Sequence, residues 1–287
     1  MGPRYYITPM SLSRWLILLL SFPVLAATGP DGVGLSMEGT FRQGGLIIAR
    51  TEPGTRVEVR GAPVRVSSQG VFLVGIGRDE AGPVVIDLQT GDGRERQARF
   101  EVETREYRIQ RIEGLPAEKV TPPPEVLERI RSEAAAAREA RAHDDQRTDF
   151  LDGFVWPLEG PITGVYGSQR ILNGEPRRPH FGVDVAAPSG TPVVAPADAL
   201  VTLANTDMYF SGGTLIMDHG HGLSSTFIHL SRILVDEGQR VRKGQVVAEV
   251  GATGRATGPH LDWRMNLFDI RLDPEPIAGP MRDDVER

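Results

Sequence analysis

The chain has no cysteine in 287 residues. This excludes a disulfide framework, a lipid-modified cysteine behind a signal segment, and any thiolate metal ligand. A metal site here would have to be made from His, Asp or Glu. A basic balance is also missing: the formal charge is −6 at pH 7. That speaks against nucleic acid as a partner, because such binding faces are basic. No apolar run reaches the ~20 residues a spanning helix needs. The longest apolar stretch, Trp15 to Leu25, follows Arg4 and Arg14 and ends at Ala26 and Ala27. It reads as an export signal over residues 1–27. The expectation is an exported, periplasmic protein with no stable membrane span after cleavage, or an anchored one if the signal is retained.

What is present is ordinary globular material, 40% hydrophobic and 24% charged. The length suits about two domains with cores of their own. Residues 28–112 read as short strands. Leu46-Ile-Ile-Ala, Arg56-Val-Glu-Val-Arg60, Pro63-Val-Arg-Val-Ser67, Val71-Phe-Leu-Val, Pro83 to Leu88 and Ala98 to Val102 are β-rich, with Pro53-Gly54, Gln69-Gly70 and Gly91-Asp-Gly93 as turns. This predicts a β-sandwich of immunoglobulin-like type. No histidine falls in this region, and no catalytic constellation is visible in it.

Residues 113–150 differ sharply. Thr121-Pro-Pro-Pro-Glu125 leads into Val126 to about Ala142, rich in Ala, Glu and Arg, which predicts a helix. Val126, Ile130 and Ala134 give only a thin apolar stripe, so the helix is either a solvated linker or a strut docked on a cleft or a partner. Glu125 and Arg129 are spaced as an i,i+4 pair, and His143 is read as a surface cap. From residue 151 to 287 the chain is again β-rich, with Thr191-Pro-Val-Val-Ala, Ala199 to Leu203, Thr214 to Met217, Ser225 to His229 and Gln245 to Val250 as strands. The fold class is therefore mainly β, with a sandwich domain, a helical linker and an antiparallel β-domain.

The chemistry sits in that last domain. His180-Phe-Gly-Val-Asp184 places an imidazole and a carboxylate four apart. On a flat strand they would be ~13 Å apart, too far for one ion, so His180 must sit before the strand or the chain must bend. Pro179 and Gly182 allow this. His260 and Asp262, two apart, share one strand face. His219 and His221, in Asp218-His-Gly-His-Gly222, look like ligands, but their glycines suggest a hairpin tip.

With Val165-Tyr-Gly167, Gly190-Thr-Pro-Val-Val-Ala195, Phe227-Ile-His-Leu-Ser231, Val241-Arg-Lys-Gly-Gln245 and Gly251 to His260 added, residues 154–274 resemble the LytM/lysostaphin-type zinc metallopeptidases. That resemblance implies one Zn2+ ion held by His180 and Asp184, with His229 and His260 assisting catalysis. It implies peptidoglycan peptides as substrate, cut by an endopeptidase. The family's pattern ends in His-x-His, and here the last position is Asp262. Asp262 could bind the ion directly, His260 could turn inward with Asp262 behind it, or the site could be metal-poor and the protein a regulator of other wall enzymes. The assignment made is metal on His180, Asp184 and Asp262. Two carboxylates would neutralise a dication, which predicts a less polarised water and an alkaline activity optimum. Oligomeric state is not legible.

Overall fold

The structure is a computed structural model and describes residues 25–28, 32–112, 124–172 and 174–281. Of the expected export signal, residues 1–24 lie outside the described residues. Leu25–Thr28 forms a strand paired with Gly34–Glu38. Among the described residues no helix is long and apolar enough to cross a membrane.

The first domain is a sandwich of two four-stranded sheets. One contains Leu25–Thr28, Gly34–Glu38, Leu46–Thr51 and Val71–Gly75; the other contains Ala62–Pro63, Arg56–Val59, Val84–Gln89 and Glu95–Phe100. Period-2 alternation sets the inner faces. Ile47 and Ala49, Val57 and Val59, Phe72 and Val74, and Val84, Ile86 and Leu88 meet in one core. The strand expected over Pro63 to Ser67 is mostly absent, since only Ala62–Pro63 pairs. Ser67 Oγ instead accepts from the Val71 and Gln69 amides at 3.0 and 3.2 Å, a local alternative to a ladder.

The helix predicted over Val126 to Ala142 spans Leu127–Arg141 and is docked on the second domain. The Tyr209 amide donates to Glu133 Oε2 at 2.8 Å, and Ala140 and Arg141 are buried. Arg129 does not pair backward with Glu125. Glu133 takes its Nε at 2.6 Å and Asp207 takes its tip. His143 is not a cap: its Nδ1 lies 3.1 Å from Oδ2 of buried Asp218.

The second domain is built on a large antiparallel sheet. Its strands run, side by side, Ile162–Gly164, Val183–Ala186, His260–Leu267, Leu223–Leu230, Gly212–Asp218, Ala199–Met208 and Arg240–Val241. Ile270–Leu272 pairs with His260–Leu267 from the far end of the hairpin. A smaller sheet of Pro192–Val194, Val246–Glu249 and Arg232–Ile233 covers one face. The core between them holds Val183, Val185, Val193, Leu215, Phe227, Val247, Leu261 and Trp263. Trp263 is fully buried, edge-on to Trp156 at 5.6 Å.

The two domains share surface. Val71 and Leu73 belong to the core of the second domain. Arg78 donates Nε and Nη2 to the Gly167 carbonyl at 2.9 and 2.8 Å. Arg105 pairs with buried Asp273 at 2.6 Å. The strand Ile109–Ile112 pairs in parallel with Gln169–Leu172 of the second domain.

Candidate metal centre

Two neighbouring strands supply the centre. In Val183–Ala186 the valines point into the core, which leaves Asp184 on the other face. In His260–Leu267, Leu261, Trp263 and Met265 are core residues, which leaves His260, Asp262 and Arg264 on that same other face. The register sets Asp184 directly opposite Asp262. Like charges placed so are destabilising unless a cation stands between them. His180 precedes its strand, Val183–Ala186, one of the two arrangements the distance argument allowed. Its amide donates to Ser168 O at 2.8 Å and its carbonyl accepts from Gly167 N at 2.8 Å.

The predicted ligands converge. Donor atoms of His180, Asp184 and Asp262 all lie within 4.8 Å of one another. His180 Nε2 stands 3.2 Å from Asp184 Oδ1, and His180 Nδ1 stands 3.9 Å from Asp262 Oδ2. Donors at 2.0–2.2 Å from one tetrahedral ion would be about 3.3–3.6 Å apart; the Nε2–Asp184 spacing is close to this, while the Nδ1 distance only sets Asp262 beside the ring, since one ion takes one imidazole nitrogen. His180 Nε2 and Asp184 Oδ1 are buried and, apart from facing each other at 3.2 Å, have no hydrogen-bond partner, so a bound ion would satisfy both. Two glycines shape the space: a methyl on Gly164 would overlap Asp184 Oδ2, and one on Gly182 would meet Asp262 Oδ1 at 2.6 Å. Burial would lower the His180 pKa, but Asp184 and Asp262 outweigh it and raise it. The corner attracts positive charge, and the residues present fit a divalent cation.

His229 and His260 stand beside it, ring centroids 5.0 Å apart. His260 Nε2 is 3.8 Å from Asp184 Oδ1. His229 Nδ1–H donates to Thr253 O and His260 Nδ1–H to Gly258 O, each at 2.8 Å. In the neutral form each ring therefore carries its proton on Nδ1 and leaves Nε2 as the acceptor. Burial lowers the His229 pKa, keeping it neutral near pH 7. His229 adopts φ 66°, left-handed for a residue with a side chain, at a sparsely populated conformation of the kind that clusters at functional sites.

Sequence reading missed two residues here. Thr253 holds the end of the His229 strand: its carbonyl takes the imidazole, and its hydroxyl donates to Leu230 O at 2.8 Å. Arg264 grips Asp262 at two points, Nε to Oδ1 at 2.9 Å and Nη2 to Oδ2 at 2.5 Å. Burial alone would raise the Asp262 carboxyl, but Arg264 holds it below the usual carboxylate range. The charge count behind an alkaline optimum left this guanidinium out, so that expectation is withdrawn.

His219 and His221 lie away from this centre. His219 is a satisfied core histidine: Nδ1–H donates to Asp198 O and Nε2 accepts from Ser225 Oγ–H, both at 2.8 Å. His221, at φ 53°, sits in the turn against Phe150. Burial pushes the His219 pKa down to about 4, against about 6.5 when unfolded. Between those values the unfolded chain binds the extra proton, so stability falls on acidification and is complete above pH 6.5. Moving from pH 7 to pH 5 should cost about 2 kcal/mol through this one group. Urea titrations of the native protein and His219→Asn should differ in pH slope by that amount; equal slopes would contradict the assignment.

A second group of possible donors, His143, Asp145 and Asp218, already has a cation. Arg147 reaches Asp145, Asp149 and Asp218.

Comparison with known proteins fits this geometry. The profile described as Peptidase family M23 matches residues 178–274. A crystal structure assigned to peptidase M23 from Pseudomonas aeruginosa shares 32% identity, covering 91% of this chain and 97% of that one, with a TM-score of 0.62. The chain belongs to peptidase family M23. This M23 chain is also 41% identical over 140 residues to the peptidoglycan DD-endopeptidase ShyB of Vibrio cholerae, covering 49% of this chain and 29% of that protein. It is 39% identical over 124 residues to ShyA of the same organism, also a peptidoglycan DD-endopeptidase, covering 40% and 29%. The M23 chain thus spans about a quarter to a third of the length of the curated relatives it matches.

Proposed function

We propose that this protein is a zinc-dependent endopeptidase that hydrolyses peptide cross-links of bacterial peptidoglycan outside the cytoplasm. The observation that carries the reading is the convergence of His180, Asp184 and Asp262 donors beside two imidazoles, His229 and His260, each tied through Nδ1 to a backbone carbonyl. Relatives named as peptidoglycan DD-endopeptidases support the substrate class.

His180, Asp184 and Asp262 would hold one ion. The chemistry a bound zinc supplies is a more acidic water and a polarised scissile carbonyl. The protein supplies the proton acceptors. His260 Nε2, nearest Asp184, is placed to take the proton from the attacking water. The proton that His260 takes can pass on to the leaving amine, and His229 Nε2 can accept a hydrogen bond from the attacking water and so orient it. Each ring is fixed by one backbone carbonyl, so its tautomer is set before substrate arrives.

One observation favours a second reading, a regulator that binds cell wall without cutting it: the Arg264 grip on Asp262. Digestion of purified peptidoglycan with zinc-loaded and chelated protein separates the two. New amine ends that vanish with chelator are expected. Fragments absent under both conditions, from folded and zinc-loaded protein, would give the second reading the place of the first.

A further inference from the structure

The face of His260–Leu267 that carries Asp262 carries one more charged side chain two residues on. Arg264 is half-buried and directed back along the strand onto both oxygens of Asp262. Asp262 is 2% exposed, so this guanidinium takes the place of water around it. The fit depends on Gly182 of the neighbouring segment, where a methyl would collide with Asp262 Oδ1 at 2.6 Å and with Arg264 Cγ at 2.7 Å. The glycine leaves room for the pair together.

A carboxylate has about four lone-pair directions. The bidentate fork uses two and leaves two for an ion; the His180 ring stands beside Oδ2, with its Nδ1 3.9 Å away. Charge is the second consideration. His180 is neutral as a ligand, and Asp184 and Asp262 carry one negative charge each. Arg264 returns one positive charge, so the set presents a net charge of minus one to an ion. A neutral imidazole in place of the Asp262–Arg264 pair would present the same charge. Asp262 without Arg264 would not.

We infer that Arg264 is a positioning residue that makes Asp262 and itself one unit, equivalent in charge to a neutral ligand and held in a fixed orientation for a divalent ion. This rests on the reading that His180, Asp184 and Asp262 hold that ion. Replacing Asp262 alone then damages the centre more than replacing Asp262 and Arg264 together. The consequence runs against intuition. Installing a common zinc ligand by Asp262→His strands a buried guanidinium next to a dication, and binding weakens.

The test is zinc affinity, measured on metal-free protein by competition with a chromophoric chelator, with the urea midpoint of each metal-free variant as a folding control. Asp262→His should bind zinc at least about 100-fold more weakly than the native protein, since outer partners of ligands are worth about 10–100-fold and a stranded buried charge adds to that. D262H/R264M should return to within about fivefold of the native value, the same charge count having been restored. Asp262→His binding as tightly as the native protein, or a double variant no tighter than Asp262→His, overturns the inference. Should Asp262→His not fold, D262H/R264M and D262H/R264K differ in one charge at the same place. The Met form should bind at least about 30-fold more tightly, and equal binding by the two would overturn the inference. Hydrolysis is read separately: zinc binding that follows this cycle without wall digestion would remove the peptidase reading alone. A native protein that binds no zinc would remove both.

Discussion

His180→Ala is expected to abolish zinc binding and wall hydrolysis together while leaving the protein folded. His180 contributes the only imidazole among the three converging donors, and its Nε2 faces Asp184 Oδ1 at 3.2 Å with no other partner. The truncated site keeps two opposed carboxylates, one of them already taken by Arg264. Losing one of three protein ligands should weaken zinc by at least about 1000-fold and bring hydrolysis to background. The backbone of His180 is tied down by its own amide and carbonyl, so the metal-free variant should unfold within about 1 kcal/mol of the native protein. Chelator competition and amine release from peptidoglycan give the two readouts. Retained hydrolysis at more than a tenth of the native rate would falsify the role given to this centre.

The second large effect is on stability. Trp263→Ala should cost about 3–5 kcal/mol, as large buried aromatics do when truncated. Trp263 is fully buried, edge-on to Trp156, and its indole N–H reaches Ser225 Oγ at 3.4 Å. The same hydroxyl donates to His219, so the loss spreads into a buried polar chain. Asp262 and Arg264 flank Trp263 on the strand, one on each side, and face the centre. Whatever slack the cavity introduces passes directly to them. Urea unfolding should show the energetic loss, and chelator competition a weaker zinc affinity in the fraction that stays folded. A loss below about 1 kcal/mol would mean that the core collapses around the gap.

Much of the centre was legible because it lies on strands. Val183-Asp-Val-Ala and His260-Leu-Asp-Trp-Arg alternate cleanly, and alternation tells which residues share a face. Rise per residue alone narrowed His180 to two arrangements, a bent chain or a place before the strand, and the second is the one found. Arg264 was legible by the same rule, being two residues from Asp262, but a count confined to ligand types passes over it. Thr253 gave no local sign: its carbonyl meets His229 only after a turn brings two distant segments together. Ser67 illustrates the opposite failure. Pro63 to Ser67 alternates like a strand, yet the hydroxyl captures the backbone first. The strand Ile109–Ile112 pairs with Gln169–Leu172, and a parallel partner 60 residues away leaves no signature near either segment.

That remote pairing bears on how such a protein can be cut and recombined. Arg78 caps the Gly167 carbonyl, Tyr107 lies so close to Gly167 that a methyl there would strike its ring, and Gly167 N in turn holds the His180 carbonyl. Three contacts thus link the first module, through Gly167, to the backbone of His180. The second half grafted alone onto another partner would lose the arginine and tyrosine that brace His180 from behind. Inheritance by domain shuffling is therefore constrained: the exchangeable unit begins before residue 78, well ahead of the helix that looks like the natural seam.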